Sequence, residues 1–86
     1  MLAEYAGFLA GALIVVAWLP QLSRTWRTKS AKDISLWTLV ILCAATALWL
    51  YYGLEIWNLP IIGTNALVIA IISALALMKL KYGGRN

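Results

Sequence analysis

Three long apolar runs account for most of this chain of 86 residues, and all seven of its Lys and Arg residues lie outside them. The runs span residues 5–23, 34–52 and 59–78, so each is 19 or 20 residues long. A helix of that length measures roughly 28 Å, close to the roughly 30 Å hydrocarbon core of a bilayer. Because lipid offers backbone polar groups no partner, and three segments cannot close a β-barrel, we predict three membrane-spanning helices.

The composition excludes an ordinary water-soluble domain. Charged residues make up 12% of the chain and apolar residues 64%, whereas about 25% of a typical globular chain is charged. We therefore predict an all-α membrane protein, with one three-helix transmembrane domain over residues 1–86. The first run is not typical of a cleaved signal peptide, because Glu4 precedes it and its basic cluster follows it.

The basic residues predict how the chain is oriented. They are Arg24, Arg27, Lys29 and Lys32 after the first run and Lys79, Lys81 and Arg85 after the third. The connection at residues 53–58 contains no Lys or Arg. Because cationic loops stay in the cytoplasm, the first loop and the C-terminus are predicted inside, and the N-terminus outside. This bias explains the net charge of +4 without a nucleic-acid partner.

Several kinds of chemistry have no residues to support them. The chain has no histidine, and its lone cysteine, Cys43, is best explained as a small packing residue. We expect no metal, no cofactor and no enzymatic activity, because no nucleophile, base and orienting group can be assembled. No charged residue lies within a run, so a transported solute should be uncharged and should move down its own gradient.

Small residues and one proline predict features within the spans. Gly7 and Gly11 have the G-x-x-x-G spacing that lets a second helix approach closely. Pro20 lacks a backbone donor and crowds the carbonyl four residues earlier, so the first helix should bend or open there. A further stripe of small residues on the third helix predicts close packing; it consists of Gly63, Ala66, Ala70, Ser73 and Ala74.

Capping signals predict where the second and third helices begin and end. Ser30 and Asp33 form a Ser-x-x-Asp pattern that could cap the second helix. Gly53 is a reasonable C-terminal stop for that helix. Asn58 and Pro60 indicate the start of the third.

Trp49 and Asn65 are polar or amphipathic side chains at membrane depth. Counted from the predicted outer ends of their helices, both lie roughly 5 to 10 Å deep, so they could share a cavity. Asn65 could instead form an interhelical hydrogen bond, and Trp49 could serve in packing. An indole face together with an amide that both donates and accepts would also suit a sugar, with its apolar C–H faces and hydroxyl rim.

Three motifs together carry a resemblance to a known family. They are the Pro20–Gln21 pair before the basic turn, residues 48–53 (LWLYYG) and residues 59–65 (LPIIGTN). With these motifs the chain resembles the SemiSWEET family, bacterial half-size relatives of the SWEET sugar transporters within the PQ-loop group. The resemblance covers essentially the whole chain.

The resemblance implies a parallel homodimer of six helices, with a sugar pocket between protomers and its axis normal to the membrane. It implies facilitative, alternating-access transport of a neutral mono- or disaccharide of the glucose or sucrose class in the bacterial inner membrane. The residues agree with a dimer. Three helices cannot enclose a pocket of about 300 Å³ and close both ends, and the charge bias makes both copies point the same way.

The resemblance also assigns roles inside this pathway. Trp49 and Asn65 match residues that line the sugar site in the family. Pro20 and Gln21 match a hinge at the cytoplasmic side. Leu42 is a candidate for an apolar inner gate.

The outer gate departs from the pattern of some relatives. Tyr52 matches a residue that closes the outer side. Some relatives brace that gate with an Arg and an Asp, where this chain has Ile56 and Asn58. An outer gate formed by Tyr52 with Asn58 and Trp57 would therefore contain no ion pair.

Two other classes of membrane protein remain open. A small holin-like pore also has two or three spans and a basic tail, but it would leak solutes without saturation. PQ-loop proteins also include sorting receptors, which would bind a peptide partner and show no flux. Proton-coupled PQ-loop relatives would need an intramembrane carboxylate.

Overall fold

The structure is a computed structural model that describes residues 2–31 and 34–82, and three α-helices make up most of it. They are α1 (Leu2–Thr28), α2 (Leu36–Ile56) and α3 (Leu59–Tyr82). Each is long and apolar enough to cross a membrane, and the described residues form no β-strand. The predicted all-α fold with three spanning helices is confirmed.

The helices are arranged as a flat layer with α3 in the middle. Helix α3 packs against both α1 and α2, whereas the described parts of α1 and α2 do not contact each other. The layer has principal extents of 44, 21 and 13 Å. One end carries Arg24, Arg27, Lys79 and Lys81 and is called the basic end below; the other, formed by the α2–α3 turn at residues 57–58, is called the turn end.

Helix α1 is longer than the apolar run that predicted it. The run covers residues 5–23, but the helix extends from Leu2 to Thr28. Thr25 and Thr28 donate their hydroxyls to the carbonyls of Gln21 and Arg24, each at 2.9 Å. The helix therefore continues into the polar region until Lys29, which has a φ of 56°.

The start of helix α2 differs from the prediction. Ser35, not Ser30, is the N-cap, and its Oγ accepts the N–H of Thr38 at 3.2 Å. The predicted cap at Ser30 is wrong, and Asp33 lies outside the described residues. Ile34 packs against the core, and the chain is still extended at Ser35, where φ is −73° and ψ is 127°.

Helix α2 was predicted to stop at Gly53, but it continues to Ile56. Trp57 then takes a left-handed conformation with φ and ψ both 53°. The N–H of Asn58 bonds the carbonyl of Gly53 at 2.9 Å, and that of Trp57 bonds Leu54 at 3.3 Å, which is a Schellman closure. Gly53 is instead a packing residue, because a Cβ there would lie 2.7 Å from Cγ2 of Ile61.

The predicted start of α3 is confirmed. Asn58 accepts the N–H of Ile61 with its Oδ1 at 3.1 Å, and its backbone carbonyl accepts the N–H of Ile62 at 3.0 Å. Pro60 lies in the first turn, where its missing donor leaves no bond unmade. It is buried against α1.

Two different kinds of packing hold α3 in place. Near the basic end, large side chains form an apolar core of Leu39, Val68, Ile71, Ile72 and Leu75. Near the turn end, the close approach predicted for the glycine pair is present. A Cβ on Gly7 would lie 3.0 Å from Cβ of Pro60, and one on Gly11 would overlap Thr64.

The small-residue stripe of α3 is largely exposed in the single chain, so its close packing against another helix stays a prediction. Gly63, Ala66, Ala70 and Ser73 are exposed, and nothing lies within 4 Å of a Cβ built on Gly63. The opposite face of α3 carries the larger apolar side chains and therefore has more area to bury.

The glycine packing leads to a stability prediction. In Gly11→Ala the added methyl group would overlap Oγ1 of Thr64, so the Thr64 side chain must rotate or α1 and α3 must move apart. We expect the unfolding midpoint in detergent to fall by about 5 °C or more. Gly63→Ala, which adds a methyl group in open space, is the matched control and should not lower it. A Gly11→Ala midpoint equal to that of wild type would contradict this packing.

Candidate functional site

A cleft of about 840 Å³ runs along one side of the helix layer. All three helices line it, and it is a groove rather than an enclosed cavity. Its mouth lies at the turn end, beside Glu4, Asn58 and Pro60. Toward the basic end it reaches Trp18 and Ile72, where the apolar core begins.

The cleft exists because α1 and α2 do not contact each other, so α3 forms its base. Helical spacing places residues of each helix along it. From α1 come Gly7, Gly11, Ile14 and Trp18; from α2 come Leu42, Thr46 and Trp49; from α3 come Ile61, Asn65, Val68 and Ile72. Each set follows the i, i+3 or i+4 rule for one helix face.

Trp49 lies in the cleft and is 53% exposed, which is much for a large aromatic residue. Its ring meets that of Tyr52 edge to face, with centroids 5.6 Å apart and an interplanar angle of 80°. Edge-to-face contacts of this kind are favourable and orient the rings. Tyr52 therefore supports Trp49 while lying outside the cleft lining itself.

Asn65 lines the same cleft, so the structure brings together the two residues that the sequence singled out. Its Nδ2 donates to the carbonyl of Ile61, one turn earlier, at 2.9 Å. The interhelical hydrogen bond considered as an alternative is therefore not formed among the described residues. The amide oxygen and the second N–H have no partner among those residues and can bond a ligand.

Most of the lining residues were not predicted from the sequence, among them Trp18, Thr46 and Thr64. Thr46 is buried and its hydroxyl bonds the carbonyls of Leu42 and Cys43 at 2.8 and 3.1 Å. Thr64 fills the notch at Gly11. The spacing Thr46 to Trp49 could have indicated one shared face of α2, but aromatic and small residues on apolar helices usually serve packing.

The polar groups of the cleft are nearly all neutral. Among the described residues, Glu4 is the one ionisable group that lines it. Glu4 is exposed in the first turn of α1, at the mouth of the cleft. The middle of the cleft is lined by apolar, hydroxyl, amide and indole groups.

The other predicted gate residues are spread along the chain. Leu42 lines the cleft next to the core. Asn58 lies at its mouth and also caps α3. Trp57 is 69% exposed in the turn. Their gating roles stay predictions.

Pro20 and Gln21 lie outside the cleft. Helix α1 is continuous through Pro20, so it does not open there, and the predicted bend stays a prediction. Gln21 lines a separate cavity of about 290 Å³ at the basic end, together with Thr25 and Ala31.

No metal site is formed by the part of the chain that the structure describes. Cys43 is half-buried and packs against the core, as expected of a packing residue.

The sequence of this chain is similar to those of known sugar transporters. The family model of the PQ loop repeat matches residues 2–54. The sugar transporter SemiSWEET of Bradyrhizobium diazoefficiens is 38% identical over 82 residues, which cover 95% of each chain. The sugar transporter SemiSWEET of Leptospira biflexa is 32% identical over 80 residues, covering 93% of this chain and 94% of that one.

A solved structure has the same fold. The crystal structure of a bacterial homologue of SWEET transporters superposes with a TM-score of 0.91 at 34% identity. The match covers 96% of this chain and 100% of that chain. The similarity therefore extends over all three helices.

Proposed function

This chain belongs to the SemiSWEET family of sugar transporters within the PQ-loop group, and from that membership and its cleft we propose that it carries a neutral mono- or disaccharide across the membrane. The observation that carries the proposal is that Trp49 and Asn65 line one cleft whose middle contains no charge. Its relatives are named as transporters and not as enzymes.

The cleft suits a sugar chemically. The indole of Trp49 offers a flat apolar surface to the C–H face of a pyranose ring. The amide of Asn65 can both donate to and accept from hydroxyls. A volume of about 840 Å³ is within the range of roughly 300 to 1,000 Å³ usual for small-molecule sites.

The functional unit in this proposal is a parallel homodimer. The cleft is a groove with one side open, so a single chain cannot surround a solute. A second copy placed over it would supply the missing wall and complete a bundle of six helices. The basic residues would give both copies the same orientation, with the basic end in the cytoplasm of a bacterial cell and the N-terminus outside.

In this proposal, alternating access depends on the different packing at the two ends of the chain. Large apolar side chains pack near the basic end, and glycines allow close helix contacts near the turn end. The cleft runs from the turn end to Ile72, where the apolar core that also contains Leu39 and Leu75 begins. We assign this arrangement to a state that is open to the outside. The opposite state would separate the basic ends of the two protomers and bring Tyr52 and Asn58 together, and sugar would shift the populations only through contacts that differ between states.

Pro20 is proposed as the hinge of this movement. In Pro20→Ala the helix regains an N–H for the carbonyl of Val16 and stiffens. We expect the exchange of sugar across vesicle membranes to slow by about tenfold, while sugar affinity stays within about twofold. Leu19→Ala, an exposed neighbour on the same helix, is the control and should exchange at the wild-type rate. An unchanged rate in Pro20→Ala would mean that the proline is a structural feature without a role in exchange.

Saturation separates the proposed carrier from the alternatives. In liposomes, uptake of labelled glucose or sucrose should saturate with concentration, need no pH gradient and leave a trapped dye inside. A holin-like pore would release the dye and show no saturation. A receptor would bind its partner and give no sugar flux, and either result would overturn the proposal.

A further inference from the structure

Among the basic residues that the structure describes, Lys79 is the one that is buried. Its side chain is 9% exposed, whereas Lys81, two residues later on α3, is exposed. A lysine is rarely buried unless its ammonium group is hydrogen-bonded. Its charge contributes to the predicted orientation of the chain, but that orientation does not require burial.

Lys79 binds the loop between α1 and α2. Its Nζ donates to the carbonyl of Ala31 at 2.9 Å, across 48 positions of sequence. The same carbonyl accepts the N–H of Ile34 at 3.1 Å. Ala31 itself is 2% exposed, and Ile34 packs against the apolar core. One backbone oxygen thus connects the loop to α3.

The last turns of α1 also belong to this buried arrangement. Thr25 is 1% exposed and donates its hydroxyl to the carbonyl of Gln21, so this part of α1, just after Pro20, is buried within the chain. Gln21, Thr25 and Ala31 line one small cavity together. At the basic end, the end of α1, the loop and α3 are therefore in mutual contact, although α1 and α2 themselves are not.

We propose that Lys79 is a positioning residue that fastens the α1–α2 loop to α3, so that the basic end of each protomer moves as one body. A rigid basic end concentrates any change of shape in the helix segments nearer the membrane centre. The fastening itself is a property of the fold. Its consequence for transport rests on the proposed function, because only a carrier needs the basic ends to open and close together.

The decisive comparison is between Lys79→Met and Lys81→Met. Both remove one positive charge from the end of α3, so an effect on membrane orientation would be equal in both. Only Lys79→Met removes the bond to Ala31. We expect amide exchange at residues 29–31 and 34–35 to be about tenfold faster or more in Lys79→Met and unchanged in Lys81→Met. Lys79→Arg, which retains a cationic donor, should restore slow exchange to within about threefold.

Transport supplies the second readout. In Lys79→Met we expect sugar flux to fall by about fivefold while sugar affinity stays within about twofold, because the residue lies outside the cleft. Equal amide exchange in Lys79→Met and Lys81→Met would overturn the proposal. If Lys79→Met does not fold, the same measurements are made on Lys79→Gln. Its side chain is uncharged and shorter than lysine, so we again expect faster amide exchange and lower sugar flux. If the wild-type protein shows no sugar flux, the proposed function is refuted. The comparison of amide exchange between Lys79→Met and Lys81→Met then decides the role of Lys79.

Discussion

Trp49→Ala is expected to lower sugar uptake into proteoliposomes by at least about 30-fold. The indole is half exposed in the cleft and is the largest apolar surface that the cleft offers to a sugar ring. Removing a contact of that size weakens binding by about 2 kcal/mol or more, which lowers the affinity, and with it uptake below saturation, by about 30-fold or more. Because the contact should be made in every occupied state, equilibrium binding should weaken along with flux.

Trp37→Ala is the matched control for Trp49→Ala. Trp37 is the same residue type in the same helix, but it is 76% exposed near the basic end and does not line the cleft. Its removal should leave uptake within about twofold of wild type. Crosslinking should show equal amounts of dimer in both variants. Equal uptake by Trp49→Ala and Trp37→Ala would remove Trp49 from the proposed sugar site.

Asn65→Leu should reduce uptake by about 5-fold to 150-fold. Leucine has the same number and branching of side-chain heavy atoms as asparagine but cannot bond hydroxyls. Sugar hydroxyls in the cleft would therefore lose partners, which weakens binding by about 1 to 3 kcal/mol. The lost bond to Ile61 lies within one helix turn, so folding should change little. Binding measured by titration should weaken in parallel.

Ser73→Ala is the control for Asn65→Leu. It removes a polar group from the exposed face of α3 that lies away from the cleft. Uptake by Ser73→Ala should match wild type. If Asn65→Leu also transports at the wild-type rate, the amide has only the local role of bonding Ile61.

The number and type of helices could be predicted from the sequence, because a bilayer admits few other structures. Their ends could not, since hydropathy reports where apolar residues lie and not where hydrogen bonding stops. Helix α1 continues through Arg24 and Arg27 beyond its apolar run. Helix α2 continues past Gly53 to Ile56, and the glycine allows close contact with Ile61 instead of forming a turn.

The candidate site could be predicted in part for a related reason. Trp49 and Asn65 were identifiable because an amide and an indole are conspicuous at membrane depth. Trp18 and Thr46 were not, because both residue types commonly serve packing, and their position depends on how α1 and α2 are arranged around α3. Lys79 could be counted as a basic residue, but its bond to Ala31 depends on a loop 48 positions away.

Sugar counterflow tests the central claim most directly. Vesicles loaded with unlabelled glucose or sucrose should accumulate the labelled sugar transiently, at a rate that saturates and without any pH gradient. Vesicles containing Trp49→Ala should show little of this accumulation. If loaded vesicles containing the wild-type protein take up each sugar no faster than protein-free lipid, the claim that this neutral cleft carries a sugar is contradicted.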